Sequence, residues 1–125
     1  MRFENFKISM LTDNIIYMHY FEDTYVECEQ IEAGFNAHDY FKVNETVKRI
    51  IHCEKHVSIS NEARELVQQK GRPASAEAYI IPHLHQKILF NLYQLFRKTK
   101  HPLKAFDNLE QAHKWILEVD KKVTA

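Results

Sequence analysis

"VKRIIHCEKHVSISNEARELVQQKG", residues 47 to 71, decides the fold. Its opening, "VKRIIHC" (47–53), is a short apolar run of the length and β-branched content of a strand. Val57 and Ile59 then alternate with Ser58 and Ser60, and a helical pattern begins. In "NEARELVQQK" Ala63, Leu66 and Val67 share one face. Glu62 lies in the first turn, where the positive end of the helix dipole favours a carboxylate, and Gly71 is placed to end the helix. Ser60 stands just before the first helical residue. It is read first as the N-cap, whose side-chain oxygen accepts from an otherwise unpaired N–H of the first turn.

The segments on either side repeat this alternation. Towards the N-terminus, Phe6, Ile8 and Met10 alternate with polar residues, the period of a half-buried strand. "TDN" (12–14) supplies turn chemistry, and "IIYMHYF" (15–21) carries apolar residues on both faces, as a strand inside a sheet does. A hairpin therefore opens the fold. Thr24 and Glu27 have capping-box spacing, which predicts a helix from about Tyr25 with Cys28, Ile31 and Phe35 inward. Towards the C-terminus, "ASAEAYII" (74–81) alternates into a strand that ends at Pro82, a residue suited to a helix's first turn. Leu84, Ile88, Leu89, Leu92, Leu95 and Phe96 follow at helical spacing and predict a third helix over 83–98. "PLKAF" (102–106) is a last short strand. Asp107 and Glu110 then predict a fourth helix with Leu109, Ala112, Trp115, Ile116 and Val119 inward.

The order β-β-α-β-α-β-α-β-α predicts an α/β fold, read as one domain over 1–125. Its sheet is five-stranded and mostly parallel, with an antiparallel first strand and four helices. Ligand and partner surfaces of such sheets lie at the carboxyl ends of the strands, where Ser58, Ser60 and Pro82 fall.

Composition narrows the function. Seventeen basic residues balance seventeen acidic ones, so the charge that phosphate neutralisation needs is missing and no nucleic-acid partner is expected. No run of about eighteen apolar residues predicts a membrane span, and "MRFENFKISM" lacks the apolar segment of a signal peptide. Cys28 and Cys53 fall in different elements and suggest no disulfide framework, so a cytoplasmic protein is expected. Glycine is scarce. With only Gly34 and Gly71, no glycine-rich loop can bring backbone N–H groups around a phosphate, which argues against P-loop and dinucleotide-binding enzymes.

The segment "RIIHCEKHVSISNEARE", together with "PLKAFDNLEQAHKWI", resembles small bacterial STAS-like proteins, the SpoIIAA-like group of anti-sigma-factor antagonists. The resemblance covers roughly residues 45 to 119 well, and the opening hairpin and first helix by element order. It implies a STAS-like fold acting as a non-catalytic binding or regulatory module in bacterial signalling, with a protein partner. In phosphorylatable relatives the loop before the second helix reads Asp-Ser-Ser-Gly, and a kinase modifies its serine. Ser60 matches that serine by position, with Ser58 beside it. Ile59 stands where the Asp would be, and Asn61-Glu62 replace the Ser-Gly.

Other constellations carry less. His83 and His85 are two apart on a predicted helix, so their rings diverge by about 200° and do not converge on one ion. Cys53 and His56 lack a second ligand pair of zinc-site spacing, so neither metal nor cofactor is expected. Ser60 lacks the Gly-x-Ser-x-Gly elbow of hydrolases, and no catalytic residue is predicted. Arg97, Lys98, Lys100 and Lys104 gather where cations complement the end of a helix dipole. Phe90 and Tyr93 lie off the leucine line of helix 83–98. With Leu84 and Ile88 they predict a homodimer surface, or alternatively a slot for a small apolar ligand or lipid.

Overall fold

A computed structural model of the chain describes residues 1–83, Gln86 and residues 101–124, with side chains as far as Val119. Five strands form the main sheet: β1 (Phe6–Thr12), β2 (Ile15–Tyr20), β4 (Lys48–Cys53), β6 (Ala76–Ile80) and β7 (Leu103–Phe106), in the order β1-β2-β4-β6-β7. The first pair is antiparallel, with Phe6 opposite Tyr20 and Ile8 opposite Met18, and the remaining pairs are parallel. The predicted sheet is therefore present. β2 is interior, as its two-sided apolar pattern implied, and four of its six residues are buried.

Two further strands were not legible in the sequence. β3 (Tyr25–Val26) and β5 (Ser58–Ile59) pair in parallel as a separate two-stranded sheet. β3 occupies the place where the first helix was expected to start. α1 runs instead over Cys28–Phe41, capped at Glu27, whose N–H donates to Gln30 Oε1 at 2.8 Å. Thr24 is no cap. It is buried, and its hydroxyl lies 2.7 Å from the Phe21 carbonyl and 3.0 Å from that of Asn5, which fixes the turn after β2.

α2 (Asn61–Lys70) is capped by Ser60 and closed by Gly71, as read from the sequence. A Cβ on Gly71 would sit 2.3 Å from the Val67 carbonyl oxygen, so this cap needs glycine for space, since its φ of −59° is open to any residue. The last helix, α3 (Leu109–Thr124), is capped by Asn108 rather than by Asp107. Asn108 Oδ1 accepts from the Gln111 N–H at 2.9 Å, the bond that an N-cap makes. Three helices occur among the described residues where four were expected. Apart from His83 and Gln86, the helix predicted over 83–98, with Leu84, Ile88, Phe90 and Tyr93, lies outside the described residues.

The two sheet faces carry separate cores. On one, Phe6, Ile8, Ile16, Met18 and Ile51 pack against Ile31 and Ala37 of α1 and Ala63 of α2. Gly34 lets α1 approach closely, since a Cβ there would lie 3.3 Å from Met18 Cε. On the other, Ile15, Ile50 and Ile80 meet Ala112, Ile116 and Val119 of α3, across the small side chains Ala76 and Ala78. Each fully buried isoleucine contributes roughly 1.5–3 kcal/mol through area removed from water.

A candidate recognition site at the carboxyl ends of two central strands

Period-two alternation puts Tyr17 and His19 of β2, and Ile50 and His52 of β4, on the face that carries α3. In the parallel register His19 is the direct partner of His52. Neighbouring strands lie about 4.8 Å apart, so partnered rings are brought together face to face. The two imidazoles stack with centroids 4.3 Å apart and planes 6° from parallel. Each ring has a second partner. His19 Nε2 is 2.5 Å from Glu54 Oε2, and His52 Nδ1 is 2.7 Å from the Tyr17 hydroxyl. Which group donates in the Tyr17–His52 bond is set by the His52 tautomer.

The turns beyond the two strands hold this array in place. Glu54 Oε1 accepts from the Glu22 N–H at 3.2 Å, and the Glu54 N–H donates to the Tyr20 carbonyl at 3.1 Å. Gln86 Nε2 donates to the carbonyls of Glu54 (3.0 Å) and Val57 (3.2 Å). Phe21 meets the His19 ring edge-on at 5.1 Å and is itself covered by the Arg2 guanidinium. Asp23 and His56 both adopt the left-handed conformation, and they pair at 3.0 Å across the turns that follow β2 and β4. Asp and His are among the non-glycine residues that tolerate this region best.

Burial and charge tune the array. Burial first, then the stacked His19, hold the His52 imidazole below its ordinary range, with Glu54 pulling the other way. Burial, helped by the Glu54 carboxylate, pushes the Tyr17 phenol up. The site is nonetheless reachable from solvent, since the Glu54 side chain is 36% exposed and that of His19 17%. Chemically it offers hydrogen-bond donors and acceptors that exchange protons, backed by aromatic surface.

A second polar cluster lies on the opposite face and is centred on a buried ion pair. Glu77, 2% exposed, meets Arg49 Nε at 3.2 Å and His101 Nε2 at 2.5 Å. His38 Nδ1 donates to the Gly34 carbonyl at 2.7 Å, which leaves Nε2 as the acceptor 3.3 Å from Arg49 Nη1. Burial is the main reason that the His38 imidazole stays below its ordinary range. The Gly34 bond opposes this, while Arg49 and Arg72 reinforce it.

The residues singled out in the sequence fall elsewhere. Ser60 is buried, with Oγ accepting from the Ala63 N–H at 3.1 Å and its own N–H bound to the Val26 carbonyl. Ser58 is exposed on β5, its N–H bound to the Thr24 carbonyl. Cys53 packs against the first core, and burial pushes its thiol up to about 12. No group of three metal-ligating side chains occurs among the described residues, and none of their helices is long and apolar enough to cross a membrane. Tyr17, His19, His52 and Glu54 were missed. "Y-M-H" and "H-C-E" did place each pair on one strand face, but only the parallel register joins the two pairs.

A family described as "Domain of unknown function (DUF7793)" matches residues 9–120, a span that contains the whole array. No curated protein and no solved structure matches the chain. The chain belongs to the DUF7793 family.

Proposed function

We propose that this member of the DUF7793 family is a STAS-like, non-catalytic binding or regulatory module. It recognises a protein partner through the carboxyl ends of β2 and β4. The observation that carries this reading is the Tyr17–His52–His19–Glu54 array, a part-exposed cluster of proton-bearing groups at the end of a parallel sheet where partner surfaces tend to form. Two features favour binding over catalysis. The Cys53 thiol alternates to the other face and stays protonated at neutral pH. Ser60 Oγ is engaged as a cap, and the hydroxyl that does meet an imidazole of the array is the Tyr17 phenol, which burial holds above its ordinary range. The antiparallel first pair, the parallel remainder and the serine-capped α2 support the STAS-like part of the proposal. Phosphorylation of Ser60 would require that cap bond to open, whereas Ser58 is exposed as it stands.

The test is affinity capture from extracts of the cells that make the chain. Wild type and Tyr40→Ala, altered at an exposed residue of α1, should retain the same partner, and Glu54→Ala should lose it. Equal recovery by all three would remove the site from the proposal.

A further inference from the structure

The segment before β1 extends the His19–His52 pair into a longer row. Arg2 is the direct partner of Lys7, Lys7 of His19, and His19 of His52. Directly opposed residues of neighbouring strands point to one face, so four basic side chains stand side by side across the sheet. With strands about 4.8 Å apart, the row spans about 14 Å. We infer that this row is an anion-binding surface that takes acidic side chains, carboxylate or phosphoryl, of a protein partner. The inference rests on the recognition surface proposed above for the partner's being a protein, and adds what that partner must carry.

Like charges directly opposite each other on neighbouring strands are unfavourable, and Arg2 and Lys7 are placed so. Both are cationic at neutral pH whatever the imidazoles carry. Among the described residues no carboxylate pairs with either of them. Glu54, the acid that does reach the row, is held by His19 and by the Glu22 N–H. The Arg2 guanidinium rests over the Phe21 ring, 5.1 Å from its centroid, a contact that orders the cation without supplying a hydrogen-bond acceptor. An anion laid on the row would relieve the repulsion and meet N–H donors that have no acceptor.

The row is open to a partner. α3 packs mainly over β4, β6 and β7, which leaves the β1 and β2 part of this face beside it. Arg2 is exposed and Lys7 half-buried. Ser9 and Tyr17, partners in the next pair on the same face, add two hydroxyls along the row's flank. A length of about 14 Å exceeds one small anion and matches about four residues of extended chain. Two full charges, in a chain of zero net charge, are too few to hold a polyphosphate backbone, so acidic protein side chains fit better than nucleic acid.

The experiment is an NMR titration of the full chain with four probes: a Glu-rich peptide, its Gln counterpart, the Glu-rich peptide carrying one phosphoserine, and inorganic phosphate alone. The acidic peptides should bind, with shifts centred on Arg2, Lys7 and His19, and the Gln peptide should leave the spectrum unchanged. Tighter binding of the phosphoserine peptide assigns the row to a phosphoryl group, and equal binding assigns it to carboxylates. Arg2→Gln combined with Lys7→Gln should weaken binding about tenfold, while Lys70→Gln, which removes an exposed cation from α2, should not. The inference is overturned if neither acidic peptide binds, if the shifts centre elsewhere, or if the Gln peptide or phosphate alone binds equally well. The wild type alone reports these outcomes should the double variant fail to fold. A dimer in sedimentation that the double variant dissolves overturns it too, the occupant then being a second copy. In the capture assay, a partner kept by the double variant and lost by Glu54→Ala removes this inference and leaves the recognition surface standing.

Discussion

Arg49 and Glu77 are charged residues within two apolar strands, and both are buried with their side chains joined. The desolvation of such a pair is offset only while both partners remain. Glu77→Gln leaves the Arg49 guanidinium in a dry interior without its counter-ion, and should cost about 3–5 kcal/mol by urea denaturation. A loss below about 1 kcal/mol would mean that water reaches Arg49. His38 and His52 give stability a dependence on pH whose sign is fixed by their direction. Both are held below the ordinary imidazole range in the folded chain, so as pH falls through about 6.5 the unfolded chain takes up protons first. Stability is therefore full above that value and declines below it. The urea midpoint should be lower at about pH 5.5 than at about pH 7.5, and the difference should shrink in His38→Gln. A midpoint that rises on acidification would contradict the neutral, buried His38. The buried pair did leave a sequence signal, a single charge at an inward position of each strand. Its meaning depends on a partner 28 residues away.

At the scale of elements, legibility followed how local the determining contacts are. Ser60 could be read as a cap because everything it needs, a free N–H three residues on and a helical pattern, lies within one turn. Ser60→Ala should cost about 1 kcal/mol in thermal or urea denaturation, with the same helix content when folded. A cost near zero would show that Ala63 N–H finds another acceptor. Thr24 and Glu27 matched a capping pattern one turn early, since Glu27 and Gln30 repeat the same spacing and tertiary contacts decide between them. Two-residue strands have no period to detect. β3 and β5 exist because the segments before α1 and α2 lie side by side, so the Ser60 N–H can reach the Val26 carbonyl.

Across the whole molecule, the alternation of apolar strands and amphipathic helices was enough to predict the sheet, its antiparallel first pair and its two-sided burial. Functional groups were harder to find, because a parallel register is a non-local fact. His19 and His52 are 33 positions apart in the chain, and only the in-register pairing of β2 with β4 stacks their rings. The proposed partner-recognition surface lies at the carboxyl ends of those strands, away from the α1–α2 surface. A photo-crosslinking residue, introduced singly at Lys55 beside the array or at Tyr40 on α1 and irradiated in living cells, tests this most directly, both positions being exposed. The account predicts a covalent adduct from position 55 and none from position 40. An adduct from position 40 with none from position 55 would contradict it.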